Sequence, residues 1–189
     1  MNEIEQNILI RAGQGDLQAF EVVYKALSSF VYNVAYRVVG NKEDAQEVTQ
    51  EVFMTVYNKL KEFRFESSFK TWVYRIATNQ AINLAKKTSK TRNQTTSFDE
   101  QIDPPSVGPD VGANIEKEHN DKLVEELFNA INPDQRACVV LRNIEGLSYE
   151  QIAQTLNINI NTVRTRLKRA REKMLSLRKQ VGYGQLQNN

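Results

Sequence analysis

The stretch LSYEQIAQTLNININTVRTRLKRAR, from Leu147 to Arg171, constrains this chain more than any other. Ser148, followed three residues later by Gln151, has the spacing of a capping box, in which each side chain satisfies an orphan backbone donor at a helix start. Tyr149, Ile152, Ala153 and Leu156 then fall on one helical face. Asn157, which tolerates the left-handed conformation, stands where such a helix stops. The pattern predicts a turn over Asn157–Asn161 and a second helix from Thr162, whose apolar residues Val163, Leu167, Ala170 and Met174 recur at steps of four, three and four. Around that stripe stand Arg164, Arg166, Lys168, Arg169, Arg171 and Lys173, with Glu172 as the single acid. A helix of this profile suits the major groove of duplex DNA. The plainer alternative is a solvated basic helix in an ordinary bundle, but the cap, the short turn and the basic second helix agree with one another.

Charge is distributed unevenly along the chain. The formal net charge of +2 is a sum of unlike segments. Residues 64–92 carry seven Lys or Arg against one acid, residues 93–133 carry two against nine, and residues 134–189 carry ten against four. Two basic regions flanking an acidic middle suit two nucleic-acid contacts joined by a connector that avoids phosphates. With 189 residues, 40% of them hydrophobic, the chain can bury one or two modest cores. Cys138 is the only cysteine, set in an apolar ACVVL run, so an internal disulfide and a cysteine-rich zinc site are both excluded. Neither a signal peptide nor a membrane-spanning run is apparent, and a cytoplasmic protein without membrane insertion is expected.

In chain order, Glu3–Ala12 reads as a short helix that stops at Gly13-Gln14-Gly15, a turn and not a phosphate loop. Asp16 can cap the next helix, whose Phe20, Val23, Tyr24, Leu27, Val31, Val34, Ala35 and Val38 keep helical spacing until Gly40. Asn41 then caps a third helix. Its Ala45, Val48, Val52, Phe53, Val56, Tyr57 and Leu60 are expected to face inward, which leaves Asp44, Glu47, Gln50 and Glu51 as an acidic outer face, either solvated or a docking surface. After the loop FRFESSF, Ser67 or Ser68 can cap a fourth helix with Phe69, Trp72, Val73, Ile76, Ala77 and Leu84 on its buried side. Its remaining residues, among them Lys70, Thr71, Tyr74, Arg75, Thr78, Asn79 and Lys86, combine cations, amides and aromatics. That mixture suits single-stranded nucleic acid. Taken alone the signal is weak, since Trp72 at helical spacing is more often core and Asn79 more often a surface amide.

Residues 88–115 read as a linker, polar in KTSKTRNQTTS and rich in proline and glycine in DPPSVGPDVG. Asn114–Ile131 resumes helical spacing. Asn132-Pro133-Asp134-Gln135 is a helix start, and the helix after it should bury Ala137, Val140, Leu141 and Ile144 before a turn at Glu145-Gly146. His119, the only histidine, lacks ligand partners, and neither a metal nor a cofactor is expected. These elements divide the chain into an all-α arrangement of two small helical domains, residues 1–87 and 116–180, joined by a flexible linker and followed by a mobile tail from 181 to 189.

The runs NKEDAQEVTQEVFMTVYNKLKEF, SSFKTWVYRIATNQAIN and LRNIEGLSYEQIAQTLNININTVRTRLKRAREK together resemble the extracytoplasmic-function (ECF) group of bacterial RNA polymerase sigma factors, in the family's order and over nearly the whole chain. The resemblance implies that Asp44, Glu47, Gln50 and Glu51 bind core polymerase. It further implies that Phe65, Glu66, Ser67 and Ser68 with Lys70, Trp72, Arg75 and Asn79 open the promoter's minus-ten element and hold a flipped base, Asn79 matching the position that lines the base pocket. The second helix of the helix-turn-helix, through Thr162, Arg164, Thr165, Lys168 and Arg169, would read the minus-thirty-five duplex. Implied partners are core RNA polymerase, promoter DNA and, as in many members, an anti-sigma factor. The chain departs from the family pattern at Phe65, where glycine is common, at Asn159 and Asn161, where proline and glycine are frequent, and at Glu47, where aspartate is more usual.

A free-standing helix-turn-helix regulator would account for the C-terminal part alone. An enzyme is the least supported class, because the chain shows no nucleophile-base motif, metal-ligand spacing or phosphate loop.

Overall fold

The structure, a computed structural model, describes residues 4–95 and 123–186, with side chains over 4–89 and 123–179. Helix starts follow side-chain capping. After α1 (Gln6–Gly13), Asp16 accepts hydrogen bonds from the Gln18 and Ala19 N–H groups at 3.0 and 3.1 Å and opens α2 (Leu17–Val39). Gly40, at φ 89°, ends that helix. Asn41 accepts from the Asp44 N–H at 2.8 Å to open α3 (Lys42–Lys59), which passes through a 3-10 turn at Leu60–Glu62. Ser68 accepts from the Thr71 N–H at 3.1 Å and opens α4 (Phe69–Thr95).

The second half holds α5 (residues 123–129), α6 (Pro133–Val139) continuing as a π turn over Val140–Ile144, α7 (Tyr149–Leu156) and α8 (Ile160–Leu186). The capping box expected at Ser148 forms, and the cap expected at Asn132 is a full box as well. Asn132 and Gln135 exchange bonds of 2.9 and 3.1 Å, and Ser148 and Gln151 exchange bonds of 3.2 and 2.8 Å. Asn157, at φ 52°, closes α7. All regular structure among the described residues is helical, in agreement with the all-α expectation. None of these helices is long and apolar enough to cross a membrane.

Several expectations from periodicity fail for identifiable reasons. Ile144 is 41% exposed, not buried. A π turn takes more residues per turn than an α-helix, so a step of three or four no longer returns to the same face. Tyr24 and Tyr57 are exposed because α2 and α3 pack along their valine stripes and leave these aromatics at the margin. Tyr74 and Thr78, expected on the outside of α4, are buried by neighbouring helices. Nothing in TSKTRNQT breaks a helix, and α4 runs to Thr95, well into the segment expected to be linker. Likewise α8 starts at Ile160, two residues early, and continues to Leu186 through the start of the expected tail. The rest of the expected linker, residues 96–115, and His119 lie outside the described residues.

Val23, Val31, Val34, Val48, Val52, Val56 and Val73 fill the junction of α2, α3 and α4 with no solvent exposure. Each contributes about 1.5–3 kcal/mol of transfer free energy, before the entropy of ordering is subtracted. The same core continues through Ala137, Cys138, Val140, Leu141, Ile152 and Val163, so the two halves are packed on one another. Burial pushes the Cys138 thiol up to about 11, which keeps it protonated and unreactive at neutral pH.

Leu141→Ala is expected to lose about 2–5 kcal/mol of stability. Ser148→Ala, which removes only a cap, should cost about 1 kcal/mol. Chemical denaturation of the three proteins checks the order. A Leu141→Ala loss no larger than that of Ser148→Ala would contradict the packed junction.

Candidate nucleic-acid and partner interfaces

The α8 start is organised by three asparagines. Asn157 supplies the left-handed end of α7, the Asn159 side chain accepts from the Asn161 N–H at 2.8 Å, and the Asn161 side chain accepts from Arg164 Nη1 at 3.0 Å. Past this turn, Val163 and Ala170 are fully buried and Leu167 is half-buried, which turns Arg164, Thr165, Lys168 and Arg169 to solvent together. Thr162 is half-buried at the edge. Thr165 Oγ1 donates to the Asn161 carbonyl at 2.8 Å, while Arg169 has no ion pair or hydrogen bond among the described residues. Arg166 leaves this face. It pairs with Asp134 at 3.0 Å. Four of the five residues expected to meet duplex DNA thus share one open, basic surface.

The loop before α4 rests on an aromatic cluster. Phe63 lies 4.8 Å from Phe65, 5.4 Å from Phe69 and 5.3 Å from Trp72, measured between ring centroids. Trp72 is therefore half-buried packing at the base of the loop. Phe65, Glu66, Ser67 and Ser68 are exposed. Beside them opens a cavity of about 280 Å³, walled by Leu9 of α1, Leu27 of α2 and Phe69, with Phe65, Ser67 and Lys70 among its other lining residues. The Lys70 ammonium sits 5.4 Å from the Phe30 ring centre and 5.5 Å from that of Tyr74, held by cation–π attraction.

Asn79 does not line this cavity. It is exposed on α4, about 16 Å along the helix from Ser68 at about 1.5 Å per residue. Arg75, one turn before it, donates from Nη2 to the Gln154 carbonyl of α7 at 2.7 Å. The eight residues expected at the minus-ten element therefore fall into two groups, the loop with the start of α4 and the pair Arg75 and Asn79. The α1 contribution to the cavity was missed because a wall built from a distant short helix leaves no local pattern.

On α3, Glu47, Gln50 and Glu51 are exposed, whereas Asp44 is half-buried and accepts from Asn41 Nδ2 at 2.8 Å as part of the helix cap. Next to Gln50 lies an exposed apolar strip formed by Tyr24, Met54 and Tyr57, with Met54 66% exposed. Tyr24 rests on Phe53 and Tyr57 on Phe20, at centroid distances of 4.6 and 5.0 Å. Acidic residues bordering exposed aromatics and a methionine form a surface suited to protein docking. Met54 carried a readable signal, since it falls off the buried stripe of α3.

Polar contacts join the halves. Tyr74 donates to the Glu145 carboxylate, and burial together with that carboxylate pushes its phenol pKa far above the usual tyrosine value. Asp134 takes Lys86 at 2.7 Å as well as Arg166. Arg136 Nη1 donates to the Val38 carbonyl at 3.1 Å. Gly40 permits this approach, because a Cβ there would lie 3.2 Å from Asn129 Oδ1 and 3.4 Å from Arg136 Nη1.

Residues 23–91 match the sigma-70 region 2 family and residues 121–174 match the sigma-70 region 4 family. The chain is 33% identical over 175 residues to the ECF RNA polymerase sigma-E factor of Haemophilus influenzae, covering 89% of this chain and 92% of that protein. It is 30% identical over 165 residues to the ECF RNA polymerase sigma factor SigE of Mycolicibacterium smegmatis, covering 85% of this chain and 62% of that longer protein. Its fold is similar to that of the sigma factor RpoE from Bartonella quintana, solved with the anti-sigma factor NepR, at a TM-score of 0.63 and 21% identity over 85% of this chain and 96% of that one. With two sigma-70 regions in order and relatives matched over most of the chain, this protein belongs to the ECF group of RNA polymerase sigma factors.

Proposed function

We propose that this sigma factor binds core RNA polymerase through the outer face of α3 and directs promoter-specific initiation with two DNA contacts. In this reading α8 meets the minus-thirty-five duplex through Arg164, Thr165, Lys168 and Arg169, with Thr162 at the margin. The loop Phe65–Ser68 and Lys70 take the opened minus-ten strand. Arg75 and Asn79 contact the same strand further along α4, and Trp72 holds the loop from beneath. The observation that carries the reading is the presence in one chain of an open basic helix face, a loop-bordered cavity large enough for one base, and an acidic and apolar docking face. Sigma factors are not known as enzymes, and the chemistry of RNA synthesis belongs to the polymerase.

The packed halves must separate for this to happen. The two promoter elements lie about 25 base pairs apart, on the order of 85 Å of duplex at about 3.4 Å per base pair. Arg75 and α7 are in direct contact here. Fully extended, a segment of the length of residues 96–122 spans up to about 90 Å, enough to permit the separation. Domains held apart on one polymerase then act on one DNA at high effective concentration, so neither needs high affinity alone. Extruding a base costs a few kcal/mol of unstacking, which polymerase contacts help to offset.

Transcription with purified core polymerase tests the function. Addition of this protein should produce promoter-directed transcripts from genomic templates. Tight operator binding without core, and no transcripts with it, would favour a free-standing helix-turn-helix regulator. Met54→Asp should weaken core binding at least tenfold, by burying a charge in an apolar contact, while leaving the fold intact by circular dichroism; unchanged binding would move the docking face elsewhere. Arg169→Ala should cost about 1–3 kcal/mol of discrimination at one upstream base pair if the guanidinium contacts a base edge. A uniform loss across sequences in a binding-site selection would instead mark a phosphate contact.

A further inference from the structure

Phe65 is one of two non-glycine residues with positive φ among the described residues, at 58°, and the other, Asn157, is of a type that tolerates it. For a bulky aromatic this backbone region is a true outlier, held only where the surroundings over-determine it. Glycine would adopt the same turn without penalty. Nor does hydrophobic burial account for the side chain, because the ring is 43% exposed and touches the cluster below through Phe63 at 4.8 Å. It lines the 280 Å³ cavity together with Ser67, whose hydroxyl makes only a long 3.4 Å bond to the neighbouring carbonyl, and Lys70, whose ammonium rests over the Phe30 and Tyr74 rings. Here a strained backbone presents a supported aromatic ring at the edge of an open slot, with an uncommitted hydroxyl and a cation beside it.

We infer that Phe65 is the stacking platform for the base extruded from the minus-ten element, and that its left-handed backbone is retained, at a cost in stability, because it aims the ring at the cavity. This deepens the proposed minus-ten role of the loop and rests on it. A base enters with one face on the Phe65 ring, its edge toward Ser67, and its backbone phosphate toward Lys70. Stacking of this kind tolerates any base, so Phe65 supplies affinity, while discrimination falls to the polar groups around the slot.

The test uses holoenzyme assembled from core polymerase and the full chain, and single-stranded minus-ten oligonucleotides of a promoter found by transcription, each with an abasic site at one position in turn. With the wild type, one position should weaken binding about tenfold when its base is removed, the size of one base–aromatic stack. Phe65→Gly should bind the intact oligonucleotide about tenfold more weakly and show almost no further loss at that position. Phe65→Tyr should restore the wild-type pattern. Phe65→Gly should also raise the melting temperature of the free protein, since it relieves the backbone. An abasic penalty undiminished in Phe65→Gly overturns the platform while the loop reading stands, and a melting temperature lowered by the same change overturns the claim of strain. If no abasic position weakens wild-type binding, the loop reading itself fails and the platform with it.

Discussion

Helix α4 has to satisfy two cores at once, and the rest of the molecule depends on that. Val73, Ala77 and Ala81 are buried in the junction with α2 and α3, while Tyr74 reaches Glu145 and Arg75 reaches the α7 carbonyl in the second half. Small residues at 77 and 81 allow close approach of the helices. Thr78, wholly buried, keeps its hydroxyl satisfied by donating to the Tyr74 carbonyl at 2.6 Å. The same helix carries the loop on its N-terminus and the Arg75 and Asn79 face on its middle. Its placement therefore fixes the cavity, the docking helix α3 beside it and the contact with the second half.

The contact between halves mixes two kinds of interaction with different consequences for opening. Val140, Leu141 and Ile152 belong to the shared apolar core and resist separation by the transfer free energy of their side chains. Lys86, Asp134 and Arg166 form a part-exposed ion cluster. Pairs of that exposure contribute under about 1 kcal/mol each, because water takes the place of the partner. The Tyr74 and Glu145 bond is more demanding, since a buried hydroxyl that loses its acceptor must be rehydrated. Apolar burial thus sets the cost of opening, and the polar contacts set the register in which the halves meet.

Local chemistry was readable wherever a residue acts on its immediate neighbours. Asp16, Asn41, Ser68, Asn132 and Ser148 all cap as their spacing indicates, and Gly40 and Asn157 end helices in the left-handed conformation. The basic face of α8 was equally legible, since the buried positions Val163 and Ala170 determine which residues point away. Ile144 was misread because the π turn before it changes the period, and the cavity was invisible because α1, α2 and the loop build it from three separate segments.

By itself the sequence determined the capped helix starts, the left-handed stops at Gly40 and Asn157, and which faces are basic or acidic, because caps, breakers and charge act over a few residues. The tertiary structure alone decided that Tyr74 is buried while Tyr24 and Tyr57 remain exposed, that Arg75 is engaged by α7 while Asn79 stands apart from the cavity, and that Phe65 is held left-handed at its edge. Those outcomes depend on which helix lies across which. Packing settles that question between residues far apart in the chain, and no local pattern records it.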